Sequence, residues 1–259
     1  MIKETIKNNK AYVAIIIILF IYLLFAYIFY KKQPEKKKTN TLIVTDNSKY
    51  IYNNKQLTKL EDESLANWND YNIYINNKYI GEYKLQYNDK WYIYNEQRDP
   101  IKYEGNVIAF SNIDMNVFDY NRINIMDNEQ NMIKNYLEKE NITFVDYNIY
   151  NSKVEIDLDD DGKTEKIYII NSKINDNEEN IFSMILVEKN NKLIPVISKV
   201  IPKNEYSDID IYDLYGIIDI DKDDKKEIII SKMIYSQPDS SCEIIFKYEN
   251  GKYNKLIDC

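Results

Sequence analysis

Two short stretches hold the residues best suited to chemistry. Asp157 to Glu165 reads DLDDDGKTE, and Asp219 to Glu227, 62 positions later, reads DIDKDDKKE. Numbered from its first aspartate, the first stretch has Asp157, Asp159 and Asp161 at positions 1, 3 and 5, Gly162 at 6 and Glu165 at 9. The second has Asp219, Asp221 and Asp223 at 1, 3 and 5, Asp224 at 6 and Glu227 at 9. Alternate carboxylates in a tight loop can converge on one hard cation, with position 7 (Lys163 or Lys225) offering its backbone carbonyl. The sixth residue must turn sharply, which glycine does freely and aspartate tolerates better than most residues. Four crowded carboxylates with no cation repel by about 1 kcal/mol per pair even in a water-like dielectric, so two bare solvated acidic turns are the poorer reading.

The ligand set is all oxygen, which favours calcium over zinc or copper, and over magnesium, which gives up its waters reluctantly. An EF-hand needs glutamate at position 12, where Tyr168 and Ile230 stand. The flanks are β-branched, so each site is expected on a strand–loop–strand unit. The chain has no histidine and two cysteines, which removes the common general base, Ser–His and Cys–His nucleophile systems, and a structural zinc site.

The elements that must position these loops form a repeat. Unit one has a strand near Lys153–Ile156, the acidic loop, Lys166–Ile170, and a hairpin of Phe182–Glu188 and Lys192–Ser198 around Asn190-Asn191. Unit two has Tyr215–Ile218, its loop, Ile228–Ile230 and a hairpin around Asn250-Gly251. Loop-to-loop and turn-to-turn spacings of 62 and 60 mark an internal repeat of four strands. The loops DLDDDGKTEKIYI and DIDKDDKKEIIIS on such units resemble the FG-GAP/VCBS-type repeats of integrin-α-like β-propellers over residues 145–259. That resemblance implies calcium binding by Asp157, Asp159, Asp161, Lys163 and Glu165 and by their second-loop counterparts Asp219, Asp221, Asp223, Lys225 and Glu227. Two units do not close a propeller, so two packed blade-like sheets are expected.

Upstream, residues 41–122 read as a small antiparallel β domain, with hairpin signals at Asn76-Asn77 and Asn88-Asp89. Asp127 with Gln130 reads as a capping-box start for an amphipathic helix over 128–140, whose stripe Met132, Ile133, Tyr136 and Leu137 packs on a sheet. Helix and repeats together make the unit 123–259.

Residues 1–10 form a polar tail, 11–30 an uncharged apolar run (AYVAIIIILFIYLLFAYIFY) and 31–40 a charged linker. Twenty helical residues span roughly 30 Å, the thickness of a bilayer core. A cleaved signal peptide usually has a shorter apolar run ending in small residues, so an uncleaved single-pass membrane anchor is expected. Lysine counts on either side favour a cytoplasmic body. Calcium loops and a disulfide favour an extracytoplasmic one, and the second argument is preferred. The disulfide follows from a two-residue turn at Asn250-Gly251: partners then run Glu249 with Lys252 outward to Cys242 with Cys259, roughly 4.5 Å apart between Cα atoms, which a disulfide can bridge.

The chain carries a formal charge of −8, and eight lysines against Glu4 and Glu35 in residues 1–40 leave −14 on residues 41–259. So acidic a body repels phosphates, so nucleic acid is not an expected partner. The fold expectation is mainly β: one transmembrane helix, a small antiparallel domain, one amphipathic helix and two calcium-loop repeats. The functional expectation is a non-enzymatic, calcium-binding β-repeat protein, membrane-anchored with its body outside, with a binding or structural role at a bacterial surface toward another protein or a glycan. Trp68 and Trp91 can stack on sugars but more often serve a core. A carboxylate-dependent hydrolase of the glycosidase kind is the alternative.

Overall fold

The computed structural model describes Tyr22 and residues 40–259, except 89, 112–114, 144–148, 173–179, 203–208 and 259. Asn40–Cys259 is one compact unit, and it is mainly β.

Its first part is an eight-stranded sheet. The strands are β1 (Thr41–Val44), β2 (Lys49–Asn53), β3 (Gln56–Lys59), β4 (Asp70–Ile75), β5 (Lys78–Asn88), β6 (Lys90–Tyr94), β7 (Pro100–Ile101) and β8 (Val107–Phe110). Their order is β3-β2-β1-β8-β4-β5-β6-β7. Asparagine turns set the hairpins: Asn76 and Asn77 have φ of 50° and 65° between the paired Ile75 and Lys78, as a primed two-residue turn requires. At the Asn88-Asp89 turn, Asp89 lies outside the described residues, while Asn88 pairs with Lys90.

The two repeats follow as consecutive up-and-down meanders. Unit one is β10 (Ile149–Ile156), β11 (Glu165–Ser172), β12 (Asn180–Lys189) and β13 (Lys192–Pro202). Unit two is β14 (Asp210–Asp219), β15 (Glu227–Ile234), β16 (Gln237–Glu249) and β17 (Lys252–Ile257). A short strand from the first part, β9 (Asn116–Val117), adds to the edge of β14 and makes this sheet five-stranded.

The layers explain the apolar runs. Ile217, Ile228, Ile230, Ile244 and Phe246 of unit two pack on Val154, Ile167, Ile169, Ile185 and Val187 of unit one. The opposite face of unit two, with Tyr215, Ile218, Ile229 and Ile245, packs on Ile43, Tyr50, Ile108 and Phe110 of the first sheet. A sheet covered on both faces needs continuous hydrophobic strands rather than alternation, which accounts for Ile228-Ile229-Ile230. A bulge at Tyr215, between the paired residues Leu214 and Gly216, changes which side chains face each neighbour. Gly216 lies where the sheets approach closely: a Cβ there would meet Ile108 Cδ1 at 2.5 Å.

Helix α1 (Asp127–Lys139) covers the outer face of unit one, placing Ile133 and Leu137 on Tyr168, Ile170, Phe182 and Met184. It begins one residue earlier than the capping signal suggested. The reciprocal bond comes from Glu129, whose Oε2 accepts the Met126 N–H at 2.9 Å, and not from Gln130. Glu129 and Lys153 are both buried, with Lys153 Nζ 2.6 Å from Glu129 Oε1 and 2.7 Å from Glu155 Oε1, and Lys166 Nζ 2.9 Å from Glu129 Oε1. This network fastens the helix to the sheet.

Two expectations are corrected. Among the described residues no helix is long and apolar enough to cross a membrane. At 13 residues α1 spans only about 20 Å and is studded with charge. The expected span 11–30 lies outside the described residues apart from Tyr22, so the single-pass anchor, the membrane partnership and the extracytoplasmic placement are not carried forward. The second correction concerns register. Glu249–Lys252, Tyr248–Tyr253 and Phe246–Lys255 pair as the turn dictates, but an irregularity then sets Ile245 opposite Ile257, which breaks the geometry used to oppose Cys242 and Cys259. Cys242 is not a free thiol, but Cys259 lies outside the described residues. No disulfide is described between them, and neither that bond nor the compartment argued from it is retained.

Candidate metal centre

The loop after β10 and the loop after β14 have the same backbone form. Positions 4 and 6 carry positive φ in both: Asp160 at 56° and Gly162 at 80° in the first, Lys222 at 56° and Asp224 at 65° in the second. The position-9 glutamates open β11 and β15, and each is buried and turned back into its loop. Glu165 Oε2 accepts the Leu158 N–H at 2.8 Å, and Glu227 Oε2 accepts the Ile220 N–H at 2.8 Å. The position-5 aspartates brace the turn, with Asp161 accepting the Lys163 N–H at 2.8 Å and Asp223 the Lys225 N–H at 3.1 Å. Gly162 N–H donates to Asp157 Oδ2 at 2.9 Å. The Lys163 side chain is exposed, with its Nζ 3.3 Å from Asp161 Oδ2.

Folding thus brings together Asp157, Asp159 and Glu165 in one loop and Asp219, Asp221 and Glu227 in the other. In each trio one carboxylate oxygen per residue lies within 4.8 Å of the others. Two oxygens on opposite sides of a calcium ion at about 2.4 Å are separated by about that distance, so either trio fits inside one coordination shell. Asp161 and Asp223 fall outside the trios and shape the turn instead.

The loops leave carboxylate oxygens unused. Asp157 Oδ1, Asp159 Oδ1 and Asp219 Oδ1 are buried without a hydrogen-bond partner among the described residues, and Asp219 is 2% exposed. A buried anion without a partner is costly and ordinarily paired or metal-bound. Burial pushes the Glu227 carboxyl up to about 7, despite the Ile220 N–H and the charge of Lys247 that favour its ionised form. The two loops also touch one another, since Lys226 N–H donates to Leu158 O at 2.8 Å.

Two residues outside the acidic motifs belong to these sites. Lys189, ending β12, places Nζ 2.6 Å from Asp159 Oδ2 and 2.9 Å from Glu165 Oε1. Lys247, on β16, places Nζ 3.0 Å from Asp221 Oδ2, Asp223 Oδ2 and Glu227 Oε1. The sequence hides their equivalence. Lys189 directly precedes its turn at Asn190, whereas Lys247 stands three residues before Asn250. The usable signal is the register between the second and third strands. Lys166 pairs with Glu188 and Ile228 with Phe246, so each lysine stands one rung further on, across from its position-9 glutamate.

The tryptophans separate clearly: Trp91 is 1% exposed and serves the core of the first sheet, while Trp68 is 42% exposed against Tyr94 and Arg98. No protein-family model, curated protein or solved structure matches this chain. Fold and site therefore define a β-repeat protein with two acidic clusters able to hold a metal ion.

Proposed function

We propose that the two loops bind calcium and that the protein is a calcium-stapled β-repeat module with a binding or structural role, its loop-bearing meanders being repeats of the FG-GAP/VCBS kind. The observation that supports this most is Asp219: it is 2% exposed, keeps Oδ1 without a partner, and offers an oxygen to the same point as Asp221 and Glu227. A divalent ion there uses oxygens that folding has already desolvated. The all-oxygen donor set selects a hard cation, and the spacing suits calcium better than the shorter bonds of magnesium. Each ion would tie β10 to β11 or β14 to β15 at the end where the two loops touch.

Binding to the folded state alone raises stability by mass action, by about 2.7 kcal/mol when calcium stands at 100 times its dissociation constant. Thermal unfolding of the full chain should therefore shift upward with added calcium, saturate, and return on chelation. Asp157→Asn with Asp219→Asn should abolish the shift. An unfolding temperature indifferent to millimolar calcium would remove the reading.

A further inference from the structure

Both acidic trios already face a cation of the protein's own. We propose that Lys189 and Lys247 are tethered counter-ions that share the cation position of their loops, so that a divalent ion enters only by expelling the ammonium into water. This rests on the reading of the loops as divalent-cation sites and says how they are loaded.

The two lysines reach their loops from equivalent places, each across from its glutamate on the neighbouring strand. Their side chains are 14% and 8% exposed, and the ammonium groups contact two carboxylates of each trio: Asp159 and Glu165 in one loop, Asp221 and Glu227 in the other. An ammonium has three N–H donors and one charge. It cannot satisfy the whole cage, and in both loops the first aspartate keeps an oxygen without a partner: Asp157 Oδ1 and Asp219 Oδ1. A divalent ion bound to the same carboxylates at about 2.4 Å would stand inside the ammonium's own contact shell. Two like charges at such separation in a half-buried site do not coexist, so the lysine must leave.

The exits differ. Lys189 is the last residue of its strand, beside the exposed Asn190-Asn191 turn. Lys247 lies further inside its strand and touches three carboxylates rather than two. Loop one should therefore load first. A competitor resident for nine-tenths of the time or more weakens apparent affinity tenfold or more.

The test combines calcium calorimetry with amine labelling of the full chain. Lys189→Met and Lys247→Met, which keep chain length and remove the charge, should each tighten calcium binding at least tenfold. In the unsubstituted protein, Lys189 and Lys247 should resist an acylating reagent without calcium and react once calcium saturates, while Lys78, 71% exposed, reacts equally in both states. The labelling arm needs no variant, so it stands even if a methionine variant misfolds. Saturable calcium binding with unchanged labelling of both lysines overturns it and leaves the cation sites standing. Absence of binding in the unsubstituted protein and in both folded variants overturns the cation reading itself.

Discussion

Replacing Glu129 by alanine should cost about 3 kcal/mol of stability in urea unfolding, the low end of what breaking a buried ion pair costs. The loss comes less from the missing carboxylate than from what it strands. Lys153, with its side chain 2% exposed, keeps only Glu155 of its two carboxylate partners, and Lys166 keeps Glu188. The Met126 N–H at the start of α1 also loses its acceptor. Removing both charges at once should recover much of the loss, since apolar replacements of buried pairs are often neutral. Glu129→Leu with Lys153→Met should thus be more stable than Glu129→Ala alone.

The same group gives a pH dependence of definite sign. Burial works against the Glu129 charge, but hydrogen bonds from Lys153, the Met126 N–H and Lys166 hold the carboxyl down to about 2 from an ordinary 4.5. A carboxylate depressed by folding stabilises the fold fully above its unfolded pKa. That contribution, on the order of 3 kcal/mol, is lost as pH falls from about 4.5 toward 2. The acid limb of a stability–pH curve should flatten in the Glu129→Leu, Lys153→Met protein.

Tyr215→Phe should cost about 2 kcal/mol, in the range for a buried hydrogen bond to a charged group. The Tyr215 hydroxyl lies 2.7 Å from Asp46 Oδ2 and 2.6 Å from Val107 O, and accepts the Asp46 N–H at 3.0 Å. It thereby joins unit two to the first sheet. Burial already raises the Asp46 carboxyl, and without the phenol it has one fewer donor, the Val107 N–H remaining at 3.2 Å. The loss should appear in urea unfolding with an unchanged slope, since no surface is newly exposed.

Local chemistry was legible in the sequence because it is set by neighbours in the chain. Asparagine pairs mark turns such as Asn190-Asn191, at φ of 52° and 59°, because few other residues accept positive φ. The carboxylate spacing announced both loops for the same reason. What stayed hidden was non-local. Nothing near β8 says that it inserts between β1 and β4, or that β9 leaves the first part to pair with β14. Lys189 and Lys247 were missed because their role depends on a pairing between second and third strands that no turn fixes. The strand register drawn outward to Cys242 erred where a ladder irregularity at Ile245 and Phe246 altered it after four correct rungs.

Terbium luminescence tests the claim that these loops cage a divalent-type cation most directly, because terbium takes calcium's oxygen ligands and is excited through nearby tyrosines. Tyr253 lies where the charges of Glu165 and Asp159 are felt, and Tyr52 where those of Asp221 and Glu227 are felt. The full chain should give saturable tyrosine-sensitised emission at two equivalents, displaced by calcium, with part of it lost in Asp157→Asn and the remainder in Asp219→Asn. Emission no stronger than that of the doubly substituted protein would contradict it.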